Sequence, residues 1–315
     1  MKNINRILLL GLLLANSNLV FLYAVKYKKS QTIVVPPVPI VATTPIVTIP
    51  PVVVYPQTKV ENTNPGYLSY AQINQQLRKW EEEARDLVDI GTYGSSANGQ
   101  PLTYVKITNE LDKKQKPKIL ITGCIHGNEP LSTGVIMNYL GLLLKEYDMN
   151  SILNKEEIFF IPVVSPDSYP RSRHAEGCDP NRDFENKETI IVNRLQEFHL
   201  KEKFKAVISA HTFGRIYLIP WGEKTQLCPD HDSYKKIVGE MANLSNYRLL
   251  RACEVYGTPI IGGELDWFYK NGAFVVVFEL GTHQNIPTKE EIDYERNRTW
   301  KSFLLFLEEA PKVKA

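Results

Sequence analysis

The stretch from Lys118 to Thr133, Lys-Ile-Leu-Ile-Thr-Gly-Cys-Ile-His-Gly-Asn-Glu-Pro-Leu-Ser-Thr, constrains this chain more than any other. A short apolar, β-branched run from Ile119 to Thr122 ends at Gly123, and His126 and Glu129 follow in the next few residues before a helix-like pattern begins. That sequence dictates a strand, a polar turn and a helix. An imidazole and a carboxylate three residues apart, on a turn that opens a helix, can face one side and share one small cation. They read as two ligands of a zinc ion. Taken alone the spacing is common, and a helix-capping Glu129 beside a solvated His126 would give the same letters. What decides is whether the rest of the chain supplies a third ligand, a base and a reason for a substrate to stop there.

Helical and strand-like patterns alternate from about residue 66 onward. A helix is expected over Tyr67 to Val88, with apolar residues at Tyr70, Ile73, Leu77, Trp80, Ala84 and Leu87, followed by two strands between Val88 and Ile107 around the turn Ser95 to Gly99. Helices are further expected at Leu131 to Lys145, Thr189 to Lys203, Ser233 to Leu244, Ile261 to Tyr269 and Lys289 to Leu307. Strands are expected at Ile158 to Val164, Phe204 to Ala210, Arg215 to Ile219 and Phe274 to Phe278. This order implies an α/β fold, a mixed and mostly parallel twisted sheet with helices on both faces. His126 with Glu129, His211, and Glu279 then each fall just past the carboxyl end of a buried strand, the edge at which open α/β sheets bind ligands.

His211 is accordingly the third candidate ligand; two His and one Glu leave a position on zinc for water. Glu279 follows Phe274-Val-Val-Val-Phe278, where a carboxylate needs a task or a partner. It reads as a general base with a raised pKa, or else as half of a salt bridge. The loop from Arg171 through Arg173 to Asp179, Asn181 and Arg182 offers arginine forks and a neutral donor that suit a terminal carboxylate or a developing oxyanion.

The N-terminal region is of another kind. Residues 1–29 carry Lys2 and Arg6, an apolar run from Ile7 to Val25 interrupted at Asn16-Ser17-Asn18, and then Lys26, Lys28 and Lys29. This is an export segment, either cleaved near Ala15 and Ser17 or retained as a membrane anchor through residues 7–25, and it places the remainder outside the cytoplasmic membrane. Residues 30–65 are rich in Pro, Val and Thr with almost no charge, the composition of an extended spacer. Residues 66–315 form the expected catalytic domain. At 315 residues and 43% hydrophobic the chain can bury a substantial core, and a net charge of +2 without a basic, aromatic-rich patch excludes nucleic acid as a partner. No obligate protein partner is evident. The four cysteines lack Cys-x-x-Cys spacing; they are either buried thiols or two disulfides, Cys124 with Cys178 and Cys228 with Cys253.

In order along the chain, His-Gly-Asn-Glu at 126–129, Ser-Pro-Asp at 165–167, Asp-Pro-Asn-Arg at 179–182, Ser-Ala-His at 209–211, Tyr256, Gly-Gly-Glu-Leu-Asp-Trp at 262–267 and Phe-Glu-Leu at 278–280 resemble the M14, carboxypeptidase A-like zinc carboxypeptidases. The resemblance spans roughly residues 67 to 308. It implies one zinc ion held by His126, Glu129 and His211, a set that carboxypeptidase A itself exemplifies and that is here carried over by analogy. It further implies that Asp179 orients His126, that Asn181 and Arg182 grip the C-terminal carboxylate, and that Arg173, with Arg171 as rival, stabilises the oxyanion. Glu279 becomes the base, Tyr256 the residue that closes over substrate, and Leu265 part of the side-chain pocket, leaning against Lys/Arg selectivity. Ser165 and Ser168 stand where the family often has Asn and Gly, and Asp183 where it often has Asn.

The expected activity is hydrolysis of the C-terminal peptide bond of peptides with a free carboxylate. The alternatives are a cell-wall peptide carboxypeptidase of the same fold and a non-catalytic stalked binding protein, the latter disfavoured because a binding module has no need of Glu279.

Overall fold

The computed structural model describes residues 66–110, 114–145, 152–284 and 286–313, together with a two-residue antiparallel pair, Leu14–Ala15 with Asn18–Leu19. The chain divides into the units Met1–Lys59 and Val60–Ala315, and the second carries the sheet. Apart from the short pair, the export segment and the proline-rich spacer expected at 1–65 lie outside the described residues. Among the described residues no helix is long and apolar enough to cross a membrane.

Eight strands make the sheet: β1 (Val88–Ser95), β2 (Pro101–Ile107), β3 (Lys118–Gly123), β4 (Glu157–Ile161), β5 (Ala206–Thr212), β6 (Ile216–Ile219), β7 (Arg248–Arg251) and β8 (Phe274–Leu280), in the spatial order β1-β2-β4-β3-β5-β8-β6-β7. The sheet is mixed as expected. Its centre, β4-β3-β5-β8, is parallel throughout, as is β6-β7, whereas β1-β2, β2-β4 and β8-β6 are antiparallel.

Alternation along the central strands separates two cores. Ile119 and Ile121, Ala206 and Ile208, and Phe274, Val276 and Phe278 face one side, where α1 (Tyr70–Glu83), α2 (Pro130–Lys145), α4 (His231–Ser245) and α7 (Lys289–Glu309) cover them. Leu120, Val207, Val275 and Val277 face the other, under α3 (Ile190–Glu202), the short α5 (Ala252–Tyr256) and α6 (Glu264–Lys270). Burial on both faces is why these strands read as continuous apolar runs. Helix starts follow their capping residues: Ser69 with Gln72 opens α1 and Thr288 with Glu291 opens α7 as reciprocal capping boxes.

Two expectations needed correction. His211 and Glu279 are the penultimate residues of β5 and β8 rather than the first residues beyond them, because strand pairing continues through Thr212 and Leu280. Strand β7 and helix α5 were not anticipated; Arg248-Leu-Leu-Arg251 is an edge strand with charged ends, too short to show a period.

Behind β6, Glu295 of α7 is only 3% exposed and receives Arg215 through Nε at 2.9 Å and Nη2 on one oxygen, and the Tyr247 hydroxyl on the other. Arg215 lies in the connection from β5 to β6, so this pairing anchors the segment that follows Thr212, whose N–H reaches the functional site. Removing one member of a buried charge pair leaves the rest unpaired. Glu295→Ala is therefore expected to lower the unfolding free energy by about 3 kcal/mol in urea titrations; a loss below ~1 kcal/mol would show that Arg215 and Tyr247 find water or other partners.

Candidate metal centre and substrate cleft

Strand parity builds the site. His211 and Ser209 share the face of Val207, and Glu279 shares the face of Val275 and Val277, so all three point toward the α3/α6 side. Parallel pairing places Glu279 directly beside His211.

One strand further on, β3 ends at Gly123 and the chain turns sharply, with Cys124 in the left-handed region (φ 48°). The turn is held from several sides. Val164 and Ser165 donate backbone bonds to Gly123 and Cys124 carbonyls, Ser132 accepts from the Cys124 N–H at 3.1 Å, and its hydroxyl donates to the Glu129 carbonyl at 2.7 Å. Gly127 is required by contact: a Cβ there would lie 2.5 Å from the Ser168 backbone. Ser165 in turn donates to the Ile125 carbonyl. The departures at 165 and 168 thus serve the shape of this turn.

Within the turn His126 and Glu129 come together as expected, and His211 joins them. The Glu129 carboxylate faces both imidazoles, with Oε1 2.9 Å from His126 Nδ1 and Oε2 3.1 Å from His211 Nδ1. All three side chains are buried, and one ligand atom from each lies within 4.8 Å of the others. Glu129 Oε2 also accepts the Thr212 backbone N–H at 3.1 Å. The far nitrogen of each ring meets a second carboxylate: His126 Nε2 lies 3.0 Å from Asp179 Oδ1, and His211 Nε2 lies 2.5 Å from Glu264 Oε1. A ring nitrogen held by an acceptor on one side leaves the other nitrogen free for a metal, and this donor set fits zinc.

Charge supports the fit. Glu129, Asp179, Glu264 and Glu279 surround the two imidazoles, and Arg173 pairs with Asp179 and lies 3.8 Å from Glu129. Burial alone would raise Glu129, but His211 and His126 outweigh it and bring the carboxyl down to about 2. Burial would lower His211, yet Glu129 and Glu264 hold it well above its usual value. Burial would also raise Asp179, and His126 with Arg173 hold it below the carboxylate range. At Glu279 the balance goes the other way: burial, with Glu129 beside it, outweighs His211, His126 and Arg173 and pushes the carboxyl up to about 7. A site with this excess of carboxylates is suited to a dication.

Beyond the ligands the cleft is lined by Arg173, Asn181 and Arg182 on one side. Arg173 gives Nε and Nη2 to Asp179 Oδ2 at 3.0 and 2.9 Å, and its Nη1 lies 3.8 Å from Glu129. Arg171 is exposed and away from the cleft, so the two arginines left open by the sequence are separated by position. Asp179 caps the short turn Pro180–Arg182 and accepts from Asn181 N, while Asn181 Oδ1 accepts the Glu264 backbone N–H at 2.9 Å. Gly262 (φ 71°) allows this approach; a Cβ would sit 2.3 Å from the Arg182 carbonyl. Asp183, the departure after Arg182, is buried and accepts from Glu188 N, Thr189 N and Thr189 Oγ1, fixing the entry to α3.

A pocket continues past the ligands between Leu218, Gly222, Ala252, Ile260, Leu265 and Val277, with Asp266 at its wall. Leu265, expected in the side-chain pocket, lines this cleft. Asp266 is spent on the backbone, accepting from Gly222 N at 2.8 Å and Glu223 N at 2.7 Å. Tyr256 closes α5, the helix whose first residue Ala252 lines this pocket, and is followed by Gly257 in the left-handed region. The four cysteines are free, so neither disulfide forms; Cys124 instead packs under the metal turn with Sγ 3.0 Å from the Glu129 carbonyl. Sequence reasoning missed Glu264, Asp266 and the Thr212 N–H. A glutamate inside an apolar run beside two glycines was the available signal for the first.

The zinc carboxypeptidase family model matches residues 73–191 and 173–302. Human mast cell carboxypeptidase A is 26% identical over 282 residues, covering 71% of this chain and 66% of that protein; mouse carboxypeptidase A4 is 26% identical over 266 residues, covering 65% and 63%. The chain thus spans slightly under two thirds of the length of these relatives. Among solved structures, carboxypeptidase A from Helicoverpa armigera superposes with a TM-score of 0.72 at 16% identity, covering 78% of this chain and 74% of that one, a likeness of fold. With the family model spanning most of the sheet and every ligand strand, the chain belongs to the zinc carboxypeptidase family.

Proposed function

We propose that the chain is a carboxypeptidase that removes the last residue of peptides with a free C-terminal carboxylate, favouring an apolar side chain there. The observation that carries this reading is the lining of one cleft by His126, Glu129 and His211 together with Glu279, Arg173, Asn181 and Arg182. His126, Glu129 and His211 would hold a zinc ion, which when bound supplies a Lewis acid for a carbonyl and lowers the pKa of water.

The remaining work belongs to the side chains. Arg182 presents a fork to the terminal carboxylate. Asn181, whose amide oxygen is already taken by the Glu264 N–H, turns its NH₂ to the same group. The last side chain enters the pocket of Leu218, Ala252, Ile260, Leu265 and Val277. Arg173 donates to the scissile carbonyl oxygen as negative charge develops there. Glu279 takes a proton from the attacking water and returns it to the leaving amine. Because carboxylate and side chain are gripped together, only the final peptide bond is brought to Glu279. The basic, apolar leader and the proline-rich segment support a location outside the cytoplasmic membrane.

A base must be unprotonated, so kcat/KM is expected to fall as pH drops through the Glu279 pKa. Burial places that carboxyl near 7, and a bound cation opposes the shift, which sets the acidic limb below neutrality. Glu279→Gln is expected to lower kcat by about 10²–10⁴-fold and to abolish that limb while zinc content by elemental analysis stays the same. Wild-type turnover in this variant would remove the base assignment. Peptides ending in Leu or Phe are expected to be trimmed at least ~10-fold faster than matched peptides ending in Lys or Glu, and C-terminally amidated versions to survive; the released amino acid is the readout. Equal release from all of them would show that neither pocket nor clamp selects.

A further inference from the structure

We propose that Glu264 is the positioning residue for the metal ligand His211 and joins the metal centre to the carboxylate clamp; the inference rests on the zinc carboxypeptidase reading above.

Glu264 opens α6 and is fully buried. Its Oε1 takes both the Ser209 hydroxyl at 2.8 Å and His211 Nε2 at 2.5 Å. Its Oε2 is buried with no hydrogen-bond partner among the described residues. A buried carboxylate that leaves one oxygen bare is costly, and neither packing nor helix capping accounts for it. The contact with His211 does. An acceptor at Nε2 holds the proton on that nitrogen, which fixes the tautomer and keeps the Nδ1 lone pair toward Glu129 and the cation site.

His126 has a counterpart in Asp179, but the two supports differ. The Asp179 carboxylate is shared with Arg173 Nε and Nη2 and is partly open, with 19% of its side chain exposed. Among the described residues the Glu264 side chain meets no Lys or Arg, and its side-chain partners are the neutral Ser209 hydroxyl and His211. His211 is thereby the more strongly electron-donating of the two imidazoles. Glu264 also acts through its main chain. Its N–H fills Asn181 Oδ1, so the same residue that sets the ring sets the amide that faces the substrate's carboxylate. A shift of Glu264 would displace metal ligand and clamp together.

The test is zinc affinity of the full chain, measured by competition with a chromogenic chelator, for wild type, Glu264→Ala and Glu264→Gln. Alanine removes the support and is expected to weaken zinc binding about 10–100-fold. Glutamine keeps an acceptor oxygen for the Nε2–H but not the charge, and is expected to recover part of that loss. Cobalt substitution gives a second readout: the visible bands should shift between wild type and Glu264→Gln, which a purely structural role would not produce. Melting curves of the chelator-treated proteins show whether each variant is folded. Zinc affinity of Glu264→Ala within about twofold of wild type overturns the proposal; if that variant does not fold, unchanged affinity and cobalt bands in Glu264→Gln overturn it instead. A wild type that binds no zinc removes the parent reading, a different result from wild-type binding that survives both substitutions.

Discussion

Parallel pairing of β5 with β8 sets Glu279 beside His211, and pairing of β3 with β5 sets Gly123 beside Ala210, so that the turn carrying His126 and Glu129 begins level with the other site strands. The metal ligands and Glu279 depend on that registration. A slip of one residue in β8 would turn Glu279 toward the α2/α7 core and Phe278 toward the cleft. The register is protected by burial on both faces: Phe278 packs against the tilted ring of Tyr217 on one side while Val277 lines the pocket on the other. The hydrophobic pattern that folds the sheet is thus also the device that aims the chemistry.

Electrostatics supplies the complementary constraint. Carboxylates at 129, 179, 264 and 279 gather around two imidazoles in a buried site, an arrangement that folding alone would disfavour. Three of them are tied to imidazoles, to Arg173 or to backbone N–H groups, and Glu279 is left with burial as its dominant influence. The division separates groups that hold a cation from one able to exchange a proton near neutrality.

Much of this was legible in the sequence because its signals were local. His-x-x-Glu after an apolar strand, a histidine next to last in Ala206–Thr212 and a glutamate next to last in Phe274–Leu280 each announce themselves by interrupting an apolar run. The alternation of helices and strands was enough to infer a sheet covered on both faces. What stayed hidden was relational. Arg173 and Arg171 differ by two positions on one loop, and only the fold turns one to the cleft and the other to solvent. Glu264 needed knowledge that α6 packs against the end of β5, fifty-odd residues away in sequence. Strand β7 and helix α5 are too short for periodicity to mark them; β7 exists by pairing with β6, and α5 follows directly from its end.

The way Asp266 spends its carboxylate has a consequence for how this cleft can be reshaped. Both oxygens are engaged by Gly222 and Glu223 amides, so the inner end of the pocket is a stretch of peptide backbone staked in place. Gly222 has no side chain to trim, and a Cβ added there would lie 3.3 Å from Ala252 and 3.6 Å from Ile260. Width can be retuned by exchanging Leu265, Ala252 or Ile260, but depth is moored to the main chain, and lengthening the cavity would require unfastening a loop.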